Sequence, residues 1–267
     1  MDTSTFLQTH RVFSLDDAVR LLAPTGGRKA TLERLKYSAA RGKVKKLARG
    51  VYASVPPGVK PAKFQPDRFL VAATLRPDAV FSHHSALELL GAAHSEWRLC
   101  TAYSARRSQT FDLKDFELRF LSHPQSLVRH QAVDLGTRSV HRLDRELRVT
   151  GPERTLIEGF RRLDLVGGAN EFVESAAGFP VLELPLLFEL LDVFEQKGLW
   201  AAVGWFLETY RTTFYVSDAD LAVIDKHVPK APLYLARDQR GGVLVRRWNL
   251  IVPDALVEGK EPDESQR

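Results

Sequence analysis

Nine basic side chains crowd into one short stretch of this chain: Arg28, Lys29, Arg34, Lys36, Arg41, Lys43, Lys45, Lys46 and Arg49. A single acid, Glu33, interrupts them. Guanidinium and ammonium groups at this density form an electrostatic footprint for a polyanion. The chemistry on offer is therefore binding rather than bond-making. Arginine can grip a guanine edge through two parallel hydrogen bonds, while lysine meets phosphate as a point charge.

The elements that must hold these groups are legible around them. Ser14-Leu15-Asp16-Asp17 has the spacing of a capping box and opens a helix to about Leu22, with Leu15, Val19 and Leu22 on one face. Pro24-Thr25-Gly26-Gly27 predicts a turn. A second helix runs over Arg28–Arg41, with Leu32, Leu35 and Ala39 as its inward stripe and Gly42 ending it. Val44–Leu47, the turn Ala48-Arg49-Gly50 and Val51-Tyr52-Ala53 then predict a short hairpin with a basic tip. This order is the outline of a winged helix-turn-helix. On a wheel of about 100° per residue, Arg34, Tyr37 and Arg41 fall opposite the stripe, with Thr31 to one side and Lys29 to the other. The expected double-stranded DNA contacts are Arg28, Lys29, Thr31, Arg34, Tyr37 and Arg41 on the helix and Lys43, Lys45, Lys46 and Arg49 on the hairpin. Arg34 is the foremost base reader, and the hairpin cations clamp the backbone or the minor groove.

Charge marks a boundary. Residues 1–65 carry 13 basic against 4 acidic residues, a net +9, and the remainder carries 25 against 29, a net −4. The change of sign coincides with a proline-rich stretch, Ser54–Pro66, that reads as a semi-rigid linker. The expectation is an α+β chain with three parts: a winged helix-turn-helix domain over residues 1–60, a larger mixed α/β domain over 61–257, and an acidic disordered tail over 258–267.

Within the second part, helices are expected over Asp67–Leu75, after Ser82 as a cap, from a second capping box at Thr150-Gly-Pro-Glu153, and over Ala169–Ala177. Leu184, Leu187, Leu191 and Phe194 form one helical stripe, and Trp200, Val203, Phe206 and Tyr210 another. Strands are expected at Trp97–Tyr103, Thr110–Leu113, Phe116–Ser122 and Ser139–Val149. A hairpin is expected where Tyr234–Ala236 and Val243–Val252 flank Asp-Gln-Arg-Gly-Gly.

Enzyme signatures are thin. Adjacent His83 and His84 diverge by about 100° on a helix and cannot chelate a metal from one face; with His94 they read as capping and core histidines. Asp115 and Glu117 would suit a magnesium-dependent nuclease, but carboxylates on a strand more often form its solvent face. Cys100, the one cysteine, excludes an internal disulfide and reads as buried. No phosphate loop, nucleophile elbow or zinc motif occurs, so no catalytic residue, metal or cofactor is expected. No apolar run reaches the roughly 18 residues of a membrane span, and the first residues lack a secretory pattern. A cytoplasmic protein is the expectation.

Three stretches in this order resemble the AbiEi family, antitoxins of type IV toxin–antitoxin pairs: Leu35–Ala53, with Arg-Gly-Val-Tyr; Arg68–Gly91, with Phe-Ser-His-His-Ser-Ala-Leu-Glu-Leu-Leu-Gly; and Val149–Gly168, with Pro-Glu-Arg-Thr-Leu. The resemblance implies a winged-helix DNA-binding domain followed by an antitoxin domain. It implies repression of the chain's own operon at inverted repeats, bound through Arg28–Arg41 and Lys43–Arg49. It also implies neutralisation of a nucleotidyltransferase-like toxin. A basic C-terminal surface, thought to serve antitoxicity in some members, has local counterparts in Arg106-Arg107, Arg161-Arg162 and Arg246-Arg247. The alternative is a winged-helix regulator whose second domain senses a ligand or partner, with no toxin.

Overall fold

The computed structural model describes residues 2–22, 26–236 and 241–257. The chain is mixed α/β with several sheets. It runs α1 (Thr3–Thr9), β1 (Val12–Ser14), α2 (Leu15–Leu22), α3 (Gly27–Ala40), β2 (Val44–Ala48), β3 (Val51–Ser54), α4 (Arg68–Leu75), β4 (Val80–Phe81) and α5 (His84–Leu89). Next come β5 (Leu99–Tyr103), β6 (Gln109–Leu113), β7 (Phe116–Leu121), α6 (Gln125–Arg129), β8 (Thr137–Arg142) and β9 (Arg145–Thr150). Then follow α7 (Pro152–Arg161), α8 (Gly168–Ala177), α9 (Leu184–Phe194), α10 (Lys197–Thr209), α11 (Asp218–Asp225), β10 (Leu233–Tyr234), β11 (Val243–Val245), β12 (Leu250–Val252) and α12 (Asp254–Val257).

Two compact units emerge. The first comprises Met1–Val80, Arg98–Ser122 and Ser139–Arg148, and the second Phe81–Trp97, His123–Arg138 and Val149–Arg267. The expected boundary near residue 60 does not coincide with this division, because later strands return to the N-terminal elements. Asp144 accepts from the Arg11 amide (2.9 Å), Arg145 donates to Val12 O (3.1 Å) and Thr74 Oγ1 (2.9 Å), and Arg142 pairs with Asp67 (2.7 Å).

In the first unit, α1, α2 and α3 close over a three-stranded sheet of order β1-β3-β2, antiparallel throughout. Phe6, Phe13, Leu15, Ala18, Leu22, Leu35, Val44 and Tyr52 form its core. The expected capping box at α2 is present: Ser14 Oγ accepts from the Asp17 amide (3.0 Å) and Asp17 accepts from the Ser14 amide (3.1 Å). Lengthwise, α3 matches its expectation, but its buried face differs. Thr31, Leu35 and Ser38 are buried, Leu32 is half-buried and Ala39 is exposed. Thr31 Oγ1 donates to Gly27 O (3.1 Å), so burying its hydroxyl costs little. The same unit carries the six-stranded sheet β6-β7-β5-β4-β9-β8, apart from end residues of β4, β8 and β9. The single strand expected over Ser139–Val149 is two strands, with the chain turning at Leu143 (φ 56°).

The second unit is largely helical. α10 is buried nearly all round, with Trp200, Val203 and Phe206 among α7, α8, α9 and the fully buried Trp248. Neither expected cap at α5 or α7 forms. His83, not Ser82, occupies the N-cap of α5, and Gly151 that of α7, followed by Pro152. The Thr150 hydroxyl instead meets that of Thr155 (2.8 Å), and the Glu153 carboxylate accepts from the Glu183 amide (2.8 Å). The expected hairpin between residues 234 and 243 is also corrected. β12 lies between β10 and β11, parallel to the former and antiparallel to the latter, because Asn249 (φ 45°) reverses the chain just before β12. Pro24, Thr25, Asp238–Arg240 and the expected tail over 258–267 lie outside the described residues.

Packing around α7 yields a sharp test. A Cβ added at Gly159 would lie 2.1 Å from ring atoms of Phe172, itself fully buried and edge-on to Phe160. Gly159→Ala is expected to destabilise the fold by about 1–3 kcal/mol, measured by urea unfolding. An unchanged midpoint would mean that the two helices do not approach so closely.

Candidate nucleic-acid interface

α3 begins after Gly26, whose backbone is left-handed (φ 98°) and which provides no side-chain cap. Arg28 and Lys29 lie in the first turn of α3, at the positive end of the helix dipole. Of the nine basic residues between 28 and 49, eight are exposed and only Lys45 is half-buried. The opposite sides of the same elements supply Leu35, Val44 and Tyr52 to the core. The Lys43 amide donates to Ser38 O (2.9 Å), fixing the hairpin to the end of α3.

The expected contact residues do not all share one environment. Thr31 is a correction: it is fully buried and cannot reach a base or phosphate. Lys29, Glu33, Lys36 and Ala40 recur at helical spacing along one flank of α3, and Arg34, Tyr37 and Arg41 along another. Arg28 pairs with Asp16, and Lys36 with Glu33 (2.7 Å), which raises the Lys36 pKa. Lys45 Nζ donates to Phe64 O (2.8 Å), tying the hairpin to the segment expected to be a linker. Arg41 stacks on Tyr37, its guanidinium carbon 4.4 Å from the ring centroid. Lys29, Arg34, Lys43, Lys46 and Arg49 carry no ion pair among the described residues.

Arg34, Tyr37, Arg41 and Lys43 also line a cleft whose remaining residues sequence reasoning missed. Its cations include Arg11 and Lys60, and its apolar wall is Val55–Pro61. Prolines spaced without helical or strand periodicity looked like a connector. Two cations inside that run, Lys60 and Lys63, were the hint, and Lys60 lines the cleft.

Elsewhere, Arg162 is bound to Asp164 (2.7 Å) and Arg247 to both Glu208 (2.6 Å) and Asp225 (2.9 Å). Arg106, Arg107 and Arg246 are exposed, and Arg161 is half-buried. The carboxylate of Glu117 is engaged by Arg119 (2.8 Å), and Cys100 is buried. His84 is fully buried, stacked on Trp97, with Glu88 (3.0 Å) and Glu171 (3.3 Å) at its two nitrogens. Among the described residues no group of three or more His, Cys, Asp or Glu side chains is arranged to hold a metal, and no helix is long and apolar enough to cross a membrane.

His83 is buried, and desolvation, reinforced by the charges of Arg162 and Arg161, lowers its pKa from 6.5 to about 3. It therefore folds neutral. The unfolded chain binds a proton at this residue below pH 6.5 that the folded chain refuses. Its contribution to stability is complete above pH 6.5 and is lost as pH falls towards 3, by up to about tenfold in the folding equilibrium per pH unit. Denaturant midpoints for wild type and His83→Asn should diverge in pH dependence across that window, and parallel curves would refute the assignment. Asparagine is chosen because it tolerates the left-handed backbone at this position (φ 56°).

No protein-family model matches the chain, and no curated protein does. The fold is similar to that in the crystal structure of the RV2827C protein from Mycobacterium tuberculosis, with a TM-score of 0.62 and 17% sequence identity over 96% of this chain and 93% of that one. At that identity the likeness shows a shared fold alone.

Proposed function

We propose that this chain is a double-stranded DNA-binding repressor whose first sixty residues form a winged helix-turn-helix domain. The observation that carries the reading is the division of α3 and its hairpin into two faces. One is buried in the core, and the other displays eight exposed cations from residues 28–49. The order helix, strand, helix, helix, strand, strand, with β3 central between β1 and β2, supports the winged form. In helix-turn-helix docking, N-terminal residues of the second helix reach the base edges. That assigns Arg28, Lys29 and the first turn of α3 to the duplex, with Lys46 and Arg49 of the hairpin on the backbone.

The motifs of Leu35–Ala53, Arg68–Gly91 and Val149–Gly168 extend the proposal to an AbiEi-type antitoxin. In this reading the protein is cytoplasmic and non-enzymatic, represses its own operon at inverted repeats and neutralises a nucleotidyltransferase-like toxin. Arg106, Arg107, Arg161 and Arg246 are the cations available for that second role. Two experiments test the proposal. A gel shift with the chain's own upstream DNA should give a complex that resists an excess of unrelated duplex. Coexpression with the product of the adjacent gene should rescue growth. Failure of the first removes the repressor, and failure of the second alone leaves a regulator without a toxin.

A further inference from the structure

We propose that the cleft beside the C-terminal half of α3 is a binding site for a free nucleotide, a flat heteroaromatic ring carrying phosphates. The cleft lies wholly within the first unit and encloses about 1010 Å³, a volume typical of small-molecule sites. Five cations line it: Arg11, Arg34, Arg41, Lys43 and Lys60. None has an ion pair among the described residues. The one acid in the lining, Asp2, is occupied as the cap of α1, accepting from the Ser4 and Thr5 amides and from the Thr5 hydroxyl. The lining thus carries five cations against one carboxylate, a net +4, which selects an anion.

The remaining lining selects what the anion is attached to. Tyr37 is 59% exposed, and Arg41 lies stacked with it. Such a guanidinium–phenol pair is a platform on which a base stacks. Val55, Pro56, Pro57 and Val59 line the same cleft and give it an apolar wall. That wall is built in place rather than loosely strung. The Val55 amide donates to Lys43 O (2.9 Å), the Val59 amide donates to Pro56 O (3.2 Å), and Pro61 packs so closely on Gly42 that a Cβ there would lie 3.0 Å from its ring. Such a preformed slot, with both an aromatic platform and a proline wall in its lining, takes a planar ring at small entropic cost, and the surrounding cations take its phosphates. Inorganic polyphosphate would satisfy only the cations, and a nucleoside only the slot.

The test is calorimetric titration of the full chain with ATP and GTP, alongside tripolyphosphate and adenosine. At least one nucleotide should bind tenfold or more tightly than both partial ligands. Tyr37→Ala and Arg41→Ala should each weaken it by about tenfold to a hundredfold, whereas Lys63→Ala, outside the lining, should not. Both cleft side chains are exposed, so the variants should keep the wild-type melting curve. Any of four results would overturn the proposal: no nucleotide binding at about 1 mM, a range that captures contacts worth only some 4 kcal/mol; tripolyphosphate binding as tightly as ATP, which makes this a generic anion patch; an unchanged affinity in Tyr37→Ala; or binding of oligothymidine without any mononucleotide, which makes it a strand-binding groove. The site does not depend on the repressor reading. Gel shifts of the same variants report on that separately.

Discussion

Replacing Lys29, Lys46 and Arg49 together with alanine will weaken duplex binding by about two to three orders of magnitude near 0.1 M salt. The three side chains are exposed and carry no ion pair among the described residues, so each is free to displace a condensed counterion from a phosphate. Each phosphate neutralised contributes about 0.9 to the slope of log affinity against log salt. With about six contacts in the wild type, that slope stands near −5, and removing three brings it to about −3. Affinities measured by fluorescence anisotropy at several salt concentrations check both numbers. Thr31→Val is the control. Thr31 is buried with its hydroxyl inside the helix, so this change should leave binding untouched. A triple variant with the wild-type salt slope would mean that DNA lies on another surface, and the proposed interface would be abandoned.

The second large effect concerns stability. Arg154 and Glu158 face each other one turn apart on α7, 2.9 Å between Nε and Oε1, and both side chains are fully buried. Arg154 also donates from Nη1 to Val133 O (2.7 Å) and Leu135 O (3.0 Å), holding the segment before β8 against α7. Arg154→Ala leaves a carboxylate buried without its guanidinium and two carbonyls without this donor. The expected loss is about 3–5 kcal/mol, a fall in melting temperature of roughly 6–20 °C for a chain of this size. Replacing both members by apolar residues, Arg154→Met with Glu158→Leu, should recover at least half of that loss, because the penalty lies in the stranded charge more than in the absent pair. A single variant that melts within a degree or two of wild type would show that the pair is open to water.

Arg154 belongs to the Pro-Glu-Arg-Thr-Leu element on which the family resemblance partly rests. Its neighbours in the fold are those of an architectural residue. Pro152, Glu153, Arg154, Thr155 and Leu156 are all buried. That element supports the antitoxin proposal through likeness of sequence, while its physical task here is to organise the second unit.

How much of this was readable beforehand depends on how far along the chain each decision reaches. The box at Ser14 and Asp17, the extent of α3, the turn at Gly50 and the stripes of α9 and α10 rest on hydrogen bonds and periodicities within a few residues, and all were legible. So was the basic character of residues 28–49. The rotation of α3 was not. Leu32 and Ala39 are the more apolar choices, yet Thr31 and Ser38 are buried: α3 packs against α2 and β2, and the small Thr31 side chain satisfies its hydroxyl on Gly27 O. Two cap expectations failed for a similar reason. Ser82 and Thr150 had the right spacing, but contacts from His83 and Thr155 claimed their hydroxyls.

The sequence by itself determined most of the longer helices, strands β2, β3, β5, β6 and β7, the position of the positive charge and the absence of familiar catalytic motifs, since these follow from residue type and near spacing. Tertiary structure alone decided which side of α3 turns inward, that Lys45 is held by Phe64 O, and that a proline-rich stretch forms one wall of a cleft instead of a connector. Those outcomes turn on where distant segments come to rest, and the free energy that brings them there is shared among many weak contacts rather than written into any local pattern.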